Sequence, residues 1–303
     1  MPELPDIEAY LVALRPRLVG EPLLGMRLGS PFLLRTVRDL SDLPGRRIVG
    51  LRRLGKRVVI GLDGDTSLVL HLMLAGRLHW QRRGAAVGSQ GRLLALDVDA
   101  GSLVLHEAGK ERRASLHVVD GEAELRALDA GGLEVLELRG DAGRDAFRAR
   151  LRAPPGRTLK RALSEAWRFA GIGGAHGDEI AWQAGLSPFL RCQDLDDDRA
   201  DALLAAAQQT LSAWRDRLCE EARVAFPAKV TAFRPEMAVH GRHRLPCPRC
   251  GAAIQRVVAG GRETNYCPPC QTGGRVLADR MLSQLLRDDW RGDPLRPPVE
   301  PDA

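Results

Sequence analysis

The sequence predicts a multi-domain α+β protein: an N-terminal antiparallel β-sandwich or barrel with a leading helix, then a helical domain, then a four-cysteine zinc finger. Three observations predict this fold class. Short apolar or alternating runs fill residues 22–120, as in antiparallel sandwiches and barrels. Helical periodicity replaces them over residues 142–223. Two Cys-x-x-Cys pairs follow, with the spacing of a zinc-binding module.

The domain boundaries follow from the segments that separate these patterns. Residues 128–141 are rich in glycine and aspartate, which is typical of a linker. The predicted domains are therefore 1–127 for the N-terminal β domain, 142–236 for the helical domain and 237–275 for the zinc finger, with a C-terminal tail at 276–303.

The leading helix is predicted to begin after Asp6, because aspartate is favoured at helix N-caps. Pro16 is expected to kink it near its end. Its apolar residues form one stripe, which should face the core: Ile7, Leu11, Leu14 and Leu18.

Strands are predicted wherever short apolar or alternating runs lie between turn-forming residues. Two of the turns are Asp63-Gly64-Asp65 and Asp99-Ala100-Gly101. The predicted strands are 23–28, 47–53, 57–62, 67–74, 92–98, 102–107 and 115–119.

Helices are predicted in the second half of the chain, where glycine and proline mark the breaks. They cover residues 142–152, 158–168, 176–184 and 198–223. The tail is expected to begin helically, through Leu277, Leu282 and Leu286, and to end in a proline-rich stretch.

Charge and composition narrow the functional classes. The net charge is +6 and the pI about 9.3, which favours a polyanionic partner. Residues 234–275 concentrate this charge, with seven arginines against two glutamates. No apolar run is long enough to span a bilayer, and the acidic first ten residues do not resemble a secretory signal. We therefore expect no membrane partner and a cytoplasmic protein, associated with the nucleoid if the source is bacterial.

The cysteines predict one structural zinc ion per chain. Six cysteines without an export signal favour metal binding over disulfides. Cys192 and Cys219 have no paired spacing and are interpreted as ordinary buried residues. The other four form two knuckles separated by sixteen residues, and four protein ligands leave no open coordination position. These predicted ligands are Cys247, Cys250, Cys267 and Cys270.

The amino terminus predicts covalent chemistry. If Met1 is trimmed, Pro2 presents a secondary amine beside the carboxylate of Glu3. An α-amino group has a pKa of about 7.7–8.0, so about a tenth of it is neutral at pH 7. Its attack on a sugar carbon would give a cationic iminium, which acidifies the neighbouring C–H bond. Glu3 is placed to carry the protons.

Further candidates are cationic side chains and a glycine turn. Arg262 is predicted at the tip of a hairpin between the cysteine pairs, where its forked guanidinium suits a phosphate. Lys56 opens an apolar strand. Gly171-Ile172-Gly173-Gly174 leads into a helix and would expose backbone N–H groups to an anion.

Taken in order, these features resemble the formamidopyrimidine-DNA glycosylase and endonuclease VIII family of base-excision enzymes. The resemblance rests on the run Met1-Pro-Glu-Leu-Pro and on the cysteine spacing. It implies that the N-terminal domain is an antiparallel β-sandwich with a leading helix, and that the helical domain contains a helix, two turns and a helix. It also implies that Pro2 is the Schiff-base nucleophile and Glu3 its acid/base. By the same resemblance Lys56, Lys160 and Arg262 contact phosphates, and Glu179 is the acidic residue of the helical motif.

Several positions depart from the family pattern. The glycine turn of the family ends in a phosphate-binding asparagine, and here that residue is Gly174. The family fills the gap left by an extruded base with methionine, arginine and an aromatic residue. The corresponding residues here are Leu74, Arg112 and Ala114. Asp6 replaces a more usual glutamate.

The resemblance implies a DNA glycosylase with abasic-site lyase activity, acting as a monomer on duplex DNA that contains a damaged base or an abasic site. It leaves open which lesion is excised. Two alternatives come from other classes: a zinc-stabilised protein that binds damaged DNA without catalysis, and an RNA-binding zinc-ribbon protein. The glycosylase is preferred because Pro2, Glu3, Lys56 and Arg262 occur together.

Overall fold

The computed structural model describes residues 1–108, 112–227 and 230–277. The predicted tail lies outside these residues from position 278 onward. The chain divides into two units. The first comprises Met1–Glu134 and Leu211–Thr231, and the second comprises Val135–Thr210 and the described residues from Ala232.

The first unit begins with helix α1 (Leu4–Leu18), which starts earlier than predicted. The N-cap is Glu3 rather than Asp6, because Pro5 already has a backbone angle suited to the first turn. Asp6 is instead the third helical residue, and its carboxylate accepts the Glu3 N–H at 2.9 Å. The Glu3 side chain accepts the Asp6 N–H in return. Pro16 lies inside the helix, two residues before its end.

Eight strands follow α1. They are β1 (Gly25–Leu28), β2 (Ile48–Leu54), β3 (Arg57–Leu62), β4 (Thr66–His71), β5 (Gly76–Gln81), β6 (Arg92–Val98), β7 (Gly101–Glu107) and β8 (Ser115–Asp120). They form two four-stranded antiparallel sheets, in the orders β1-β6-β7-β5 and β2-β3-β4-β8. One apolar cluster contains residues of both sheets and of α1, which is the predicted sandwich with its leading helix.

Two elements of this unit were not predicted. Strand β5 has only two large apolar residues, Leu78 and Trp80, and the apolar run before it suggested a single strand over 67–74. The chain instead turns at residues 73–75. Helix α2 (Gly121–Ala127) buries a single side chain, Leu125, so its sequence carries no stripe. Leu125 packs against valines on the outer face of the β3-β4-β8 sheet: Val59, Val69 and Val119.

The second unit contains the predicted helices and the finger hairpin. Its elements are α3 (Gly140–Arg152), α4 (Leu159–Leu163), α5 (Gly174–Gln183), α6 (Asp197–Val224), β9 (Gln255–Ala259), β10 (Arg262–Tyr266) and α7 (Pro268–Thr272). The residues of α6 from Leu211 belong to the first unit. Helix α4 is shorter than the predicted 158–168. Beyond Leu163 the chain turns so that the buried guanidinium of Arg168 donates to the carbonyls of Arg150 and Leu151.

Among the described residues, no helix combines the length and apolar character that crossing a bilayer would require.

Candidate active site and zinc centre

The amino-terminal site consists of Pro2, Glu3 and Lys56, all buried within the first unit. Glu3 is 3% exposed and is fixed by its place at the start of α1. Lys56 lies in the tight turn between β2 and β3 and is 9% exposed. Burial lowers the pKa of the Lys56 ammonium, and the charge of Glu3 partly offsets this effect. A carboxylate and an ammonium are thus held in a desolvated environment at the chain terminus.

The terminal amine has two acids and two cations as neighbours. Burial lowers the pKa of the Met1 amine from its usual value. The carboxylates of Glu3 and Asp6 raise the pKa again, whereas the charges of Arg77 and Lys56 lower it further. A lowered pKa increases the neutral, nucleophilic fraction of an amine at pH 7. Trimming of Met1 would leave the Pro2 nitrogen as the terminal amine of this site.

Leu74 lies at the tip of the β4–β5 turn, with its side chain 59% exposed. The turn needs a left-handed residue, and Met73 supplies it with φ of 52°. The guanidinium of Arg77 donates to the carbonyls of Leu74 at 3.1 Å and Gly76 at 2.7 Å. These contacts hold an exposed apolar side chain on a fixed turn.

Arg112 and Ala114 follow strand β7 and differ in exposure. The Arg112 side chain is exposed, whereas Ala114 is buried. The buried carboxylate of Glu107 accepts the N–H groups of Arg113 and Ala114, each at 3.0 Å. Glu107 thus holds the backbone that follows Arg112. Sequence analysis did not identify it, because a single glutamate at the end of a strand carries no local signal for holding a loop.

Gly174 is the first residue of α5 and is exposed. A Cβ atom added there would lie no closer than 4.0 Å to Lys160 Cε, so the position has room for a side chain. The preceding turn requires glycine at Gly171, which has φ of 78°. The helix therefore begins with an accessible backbone, as an anion-binding helix N-terminus requires.

Lys160 and Arg262 occupy different environments within the second unit. The Lys160 ammonium forms an ion pair with Asp178 Oδ1 at 2.7 Å, and its side chain is 12% exposed. Arg262 is the exposed first residue of β10, directly after the Gly260-Gly261 turn of the hairpin. The hairpin was predicted, and Arg262 begins its second strand.

Asp178 is the residue that sequence analysis missed in this unit. It is buried and interacts with Lys160, with the His240 ring and with the Asn265 N–H. The available signal was its position on α5, three residues after buried Ala175 and three before buried Ala181. A carboxylate on the buried side of a helix indicates a specific partner.

The four cysteine sulfurs are all within 4.8 Å of one another, as a tetrahedral zinc site requires. The Cys247–Cys270 pair is separated by 4.0 Å and the Cys250–Cys267 pair by 3.4 Å. Zn–S bonds of about 2.3 Å place tetrahedral sulfurs about 3.8 Å apart, so the donor set fits Zn²⁺. This cluster is the predicted structural zinc site, and it would hold one ion with no position open for substrate.

One sulfur of this site has an unusual partner. The indole N–H of Trp182, on α5, donates to Cys247 Sγ at 3.4 Å. Burial alone would raise the pKa of the Cys247 thiol. Donation from the N–H groups of Arg249, Cys250 and Trp182 brings that pKa down to about 7. The thiolate form that zinc requires is therefore favoured at this ligand.

Comparison with known proteins agrees with this architecture. The model of the formamidopyrimidine-DNA glycosylase N-terminal domain matches residues 1–119. That of the zinc finger found in FPG and IleRS matches residues 244–273. The formamidopyrimidine-DNA glycosylase of Acidovorax sp. strain JS42 is 32% identical over 277 residues, covering 89% of this chain and 99% of the relative. That of Heliobacterium modesticaldum is also 32% identical, covering 89% and 100%.

Solved structures give the same result. The MutM (Fpg) protein of Thermus thermophilus superposes with a TM-score of 0.72 at 28% identity, covering 89% of this chain and 98% of that one. The Lactococcus lactis Fpg in complex with DNA containing an abasic site has a TM-score of 0.77 at 23% identity. It covers 89% of this chain and 99% of that one, and it supports the fold.

The sandwich with its leading helix, the helical unit and the four-cysteine site together define the class of zinc-finger DNA glycosylases of base-excision repair. Within that class, the chain belongs to the formamidopyrimidine-DNA glycosylase family. Enzymes of this family are DNA glycosylases with an associated abasic-site lyase activity.

Proposed function

We propose that this chain excises a damaged base from duplex DNA and then cleaves the strand, through a covalent bond between the Pro2 nitrogen and C1′ of the nucleotide. The observation that carries this proposal is the buried Glu3 carboxylate, with Lys56 close by, directly beside Pro2, whose nitrogen becomes the terminal amine once Met1 is removed. A neutral amine is the nucleophile that the reaction needs, and a fixed carboxylate beside it can carry protons.

The reaction runs in two stages. The Pro2 nitrogen attacks C1′ and the base leaves with the electron pair of the glycosidic bond, taking up a proton. Opening of the sugar ring at O4′, with protonation of that oxygen, gives an iminium between Pro2 and C1′. The iminium acidifies C2′, Glu3 accepts the C2′ proton, and the C3′–O bond breaks as the 3′ phosphate leaves. Water then hydrolyses the iminium and releases Pro2.

DNA binding is assigned to side chains of both units. The base must leave the stack because C1′ cannot be attacked inside the duplex. We assign Leu74 and Arg112 to the gap that the extruded nucleotide leaves, since both are exposed. Ala114 is buried and leaves no aromatic contact there. Arg262, the α5 N-terminus at Gly174 and Lys160 are proposed to support phosphate binding, and the arginines of 234–275 supply the positive charge.

The proposal also includes the oligomeric state, the DNA substrate and the cellular location of the enzyme. We infer that it acts as a monomer on duplex DNA with a damaged base or an abasic site. Its relatives include a protein solved with abasic-site DNA. We place it in the cytoplasm, at the nucleoid if the source is bacterial.

Borohydride trapping tests the covalent step. Reduction of the iminium during reaction with abasic-site DNA should give a stable protein–DNA adduct with the unmodified chain. The Pro2→Gly variant should give at least about tenfold less, since a secondary amine forms the iminium more readily. Pro5→Ala is the matched control, because it alters a second proline of the same helix start and leaves Pro2 in place.

Two outcomes would contradict the proposal. The first is an adduct that is undiminished in Pro2→Gly. The second is tight binding of lesion-containing duplexes by the unmodified chain without any adduct or strand cleavage, which would favour the non-catalytic DNA-binding alternative.

A further inference from the structure

We propose that Asp178 is a positioning residue for DNA binding. Lys160 is then held by the Asp178 carboxylate and does not itself bind a phosphate. Asp178 locks the finger hairpin and the 237–240 loop onto helix α5. This inference rests on the proposed binding of DNA, and its test does not require catalysis.

The first contact is the ion pair between α4 and α5. Lys160 Nζ lies 2.7 Å from Asp178 Oδ1, and the Asp178 side chain is fully buried. The same ammonium donates to the carbonyl oxygen of Glu263 on β10. The ammonium thus has a carbonyl acceptor and a buried counter-ion, and a phosphate would have to compete with that carboxylate.

The second oxygen of Asp178 holds two further segments. Oδ2 accepts from His240 Nδ1 at 2.8 Å and from the Asn265 backbone N–H at 3.2 Å. Neighbouring Glu179 reinforces the first of these segments. Its carboxylate accepts the N–H groups of Ala238, Val239 and His240 at 2.7–2.9 Å. Four segments of the second unit therefore meet at adjacent carboxylates of one helix: α4, β10, the 237–240 loop and α5 itself.

The geometry links this cluster to the proposed phosphate-binding groups. Arg262 directly precedes Glu263, whose carbonyl is held by Lys160. The Lys160 side chain also lies beneath the start of α5. A Cβ atom at Gly174 would be 4.0 Å from Lys160 Cε, and one at Gly177 would be 3.5 Å from Lys160 Cγ. One partly buried lysine thus supports both the turn at Gly174 and the strand that begins with Arg262.

Asp178 therefore sets the spacing between two groups that would bind the DNA backbone. Loss of its charge leaves the Lys160 ammonium without its carboxylate partner and weakens the contacts of Asp178 with the His240 ring and with the Asn265 N–H of the hairpin. The expected result is weaker DNA binding without the loss of any direct phosphate contact.

Salt dependence separates this role from phosphate binding. A side chain that neutralises one phosphate contributes about 0.9 to the slope of log K against log salt, because it releases a counter-ion. A positioning residue weakens binding at every salt concentration and leaves that slope unchanged. We would measure binding of a duplex with a tetrahydrofuran abasic-site analogue by fluorescence anisotropy between about 50 and 200 mM salt.

The variants are Asp178→Asn, Lys160→Met and the double variant. We expect each single change to weaken binding about tenfold with an unchanged slope, and the double variant to be no weaker than the weaker single variant. Arg262→Gln is the matched control for a phosphate ligand, and its slope should fall by about one. A fall of about 0.9 in the slope for Lys160→Met, with unchanged affinity for Asp178→Asn, would overturn the inference.

Folding controls and one further variant complete the test. Zinc content and circular dichroism establish that each variant is folded. His240→Asn removes one contact of Asp178 and keeps the ion pair, so it should give a smaller loss of affinity with the same slope. If the unmodified chain binds DNA but forms no borohydride adduct, the proposed catalysis fails while the comparison of slopes still decides the role of Asp178.

Discussion

His71, the last residue of β4, shows how strongly burial and charge can act on a single side chain. Burial lowers the pKa of its imidazole to about 4, and the neighbouring charges of Arg57, Lys56 and His117 act in the same direction. Arg57 pairs directly with His71 across strands β3 and β4, so both side chains share one face of the sheet. The folded protein therefore holds His71 neutral at pH values where an unfolded chain would protonate it.

This difference predicts an acid sensitivity. An unfolded histidine binds a proton below pH about 6.5, whereas folded His71 does so only below about 4. The unfolded state binds more protons between these values, so the free energy of unfolding should fall as the pH decreases from about 6.5 to about 4. The loss is at most about 3 kcal/mol. Urea unfolding across this range should show a shallower pH dependence for His71→Asn, and parallel curves would contradict the assignment.

Single residues also differ in how far the sequence alone can indicate their role. Glu3 and Lys56 could be proposed as site residues because each has a local signal, a terminal acid or a lysine at a strand end. Asp178 was missed, because its partners His240 and Asn265 lie 62 and 87 residues away along the chain. The structure shows that its neighbour Lys160 already has a carboxylate partner, which no spacing of residues indicates.

At the scale of elements, helix α5 begins with Gly174, which has no side chain and can offer a DNA phosphate only its backbone N–H. Gly174 is exposed, and the nearest atom to a Cβ added there is Lys160 Cε, at 4.0 Å. An asparagine side chain at this position would add one hydrogen bond to a DNA phosphate without disturbing the turn. Asparagine also has a better helix propensity than glycine.

Gly174→Asn should therefore strengthen binding of abasic-site DNA by about two- to tenfold, which corresponds to a net hydrogen bond of about 0.5–1.5 kcal/mol. Gly174→Ala serves as the control, because it fills the same space without an acceptor or donor. Anisotropy titrations at one salt concentration measure the effect. Equal affinities for the asparagine and alanine variants would show that the start of α5 does not contact a phosphate.

The elements themselves could be predicted to different degrees. Strands β3, β6 and β7 were predicted within one residue because apolar runs and glycine turns delimit them. Strand β5 was missed because half of its side chains are polar and only its pairing with β7 defines it. The start of α1 was placed too late because Asp6 is a favourable cap residue and the reciprocal bond with Glu3 depends on the folded backbone.

For the molecule as a whole, we expect the zinc site to determine whether the finger folds. Two of its ligands, Cys247 and Cys267, are buried in the same apolar cluster as Val239 and Ile254. The metal thus takes the place of a larger hydrophobic core, and structural zinc binding is worth about 10–16 kcal/mol in small finger peptides. The spacing of the cysteines was sufficient to predict this site because it is a local property of the sequence.

Removal of zinc by a chelator should therefore abolish DNA binding, with a loss of at least about tenfold, while releasing one zinc ion per chain. Zinc release and anisotropy can be followed together. Cys192→Ser is the matched control, because Cys192 is a buried cysteine outside the four-sulfur cluster and the variant should retain its metal. Undiminished DNA binding by the metal-free protein would contradict a role for the finger.

The N-cap position of Glu3 has a consequence for mutagenesis of the active site. The side chain proposed to carry protons is also the one that accepts the Asp6 N–H and begins helix α1. An alanine scan would therefore confound two losses, since both the reaction and the helical turn that orients the reacting nitrogen would be disturbed. Glutamine separates them, because its amide oxygen can still accept the Asp6 N–H while it can no longer ionise.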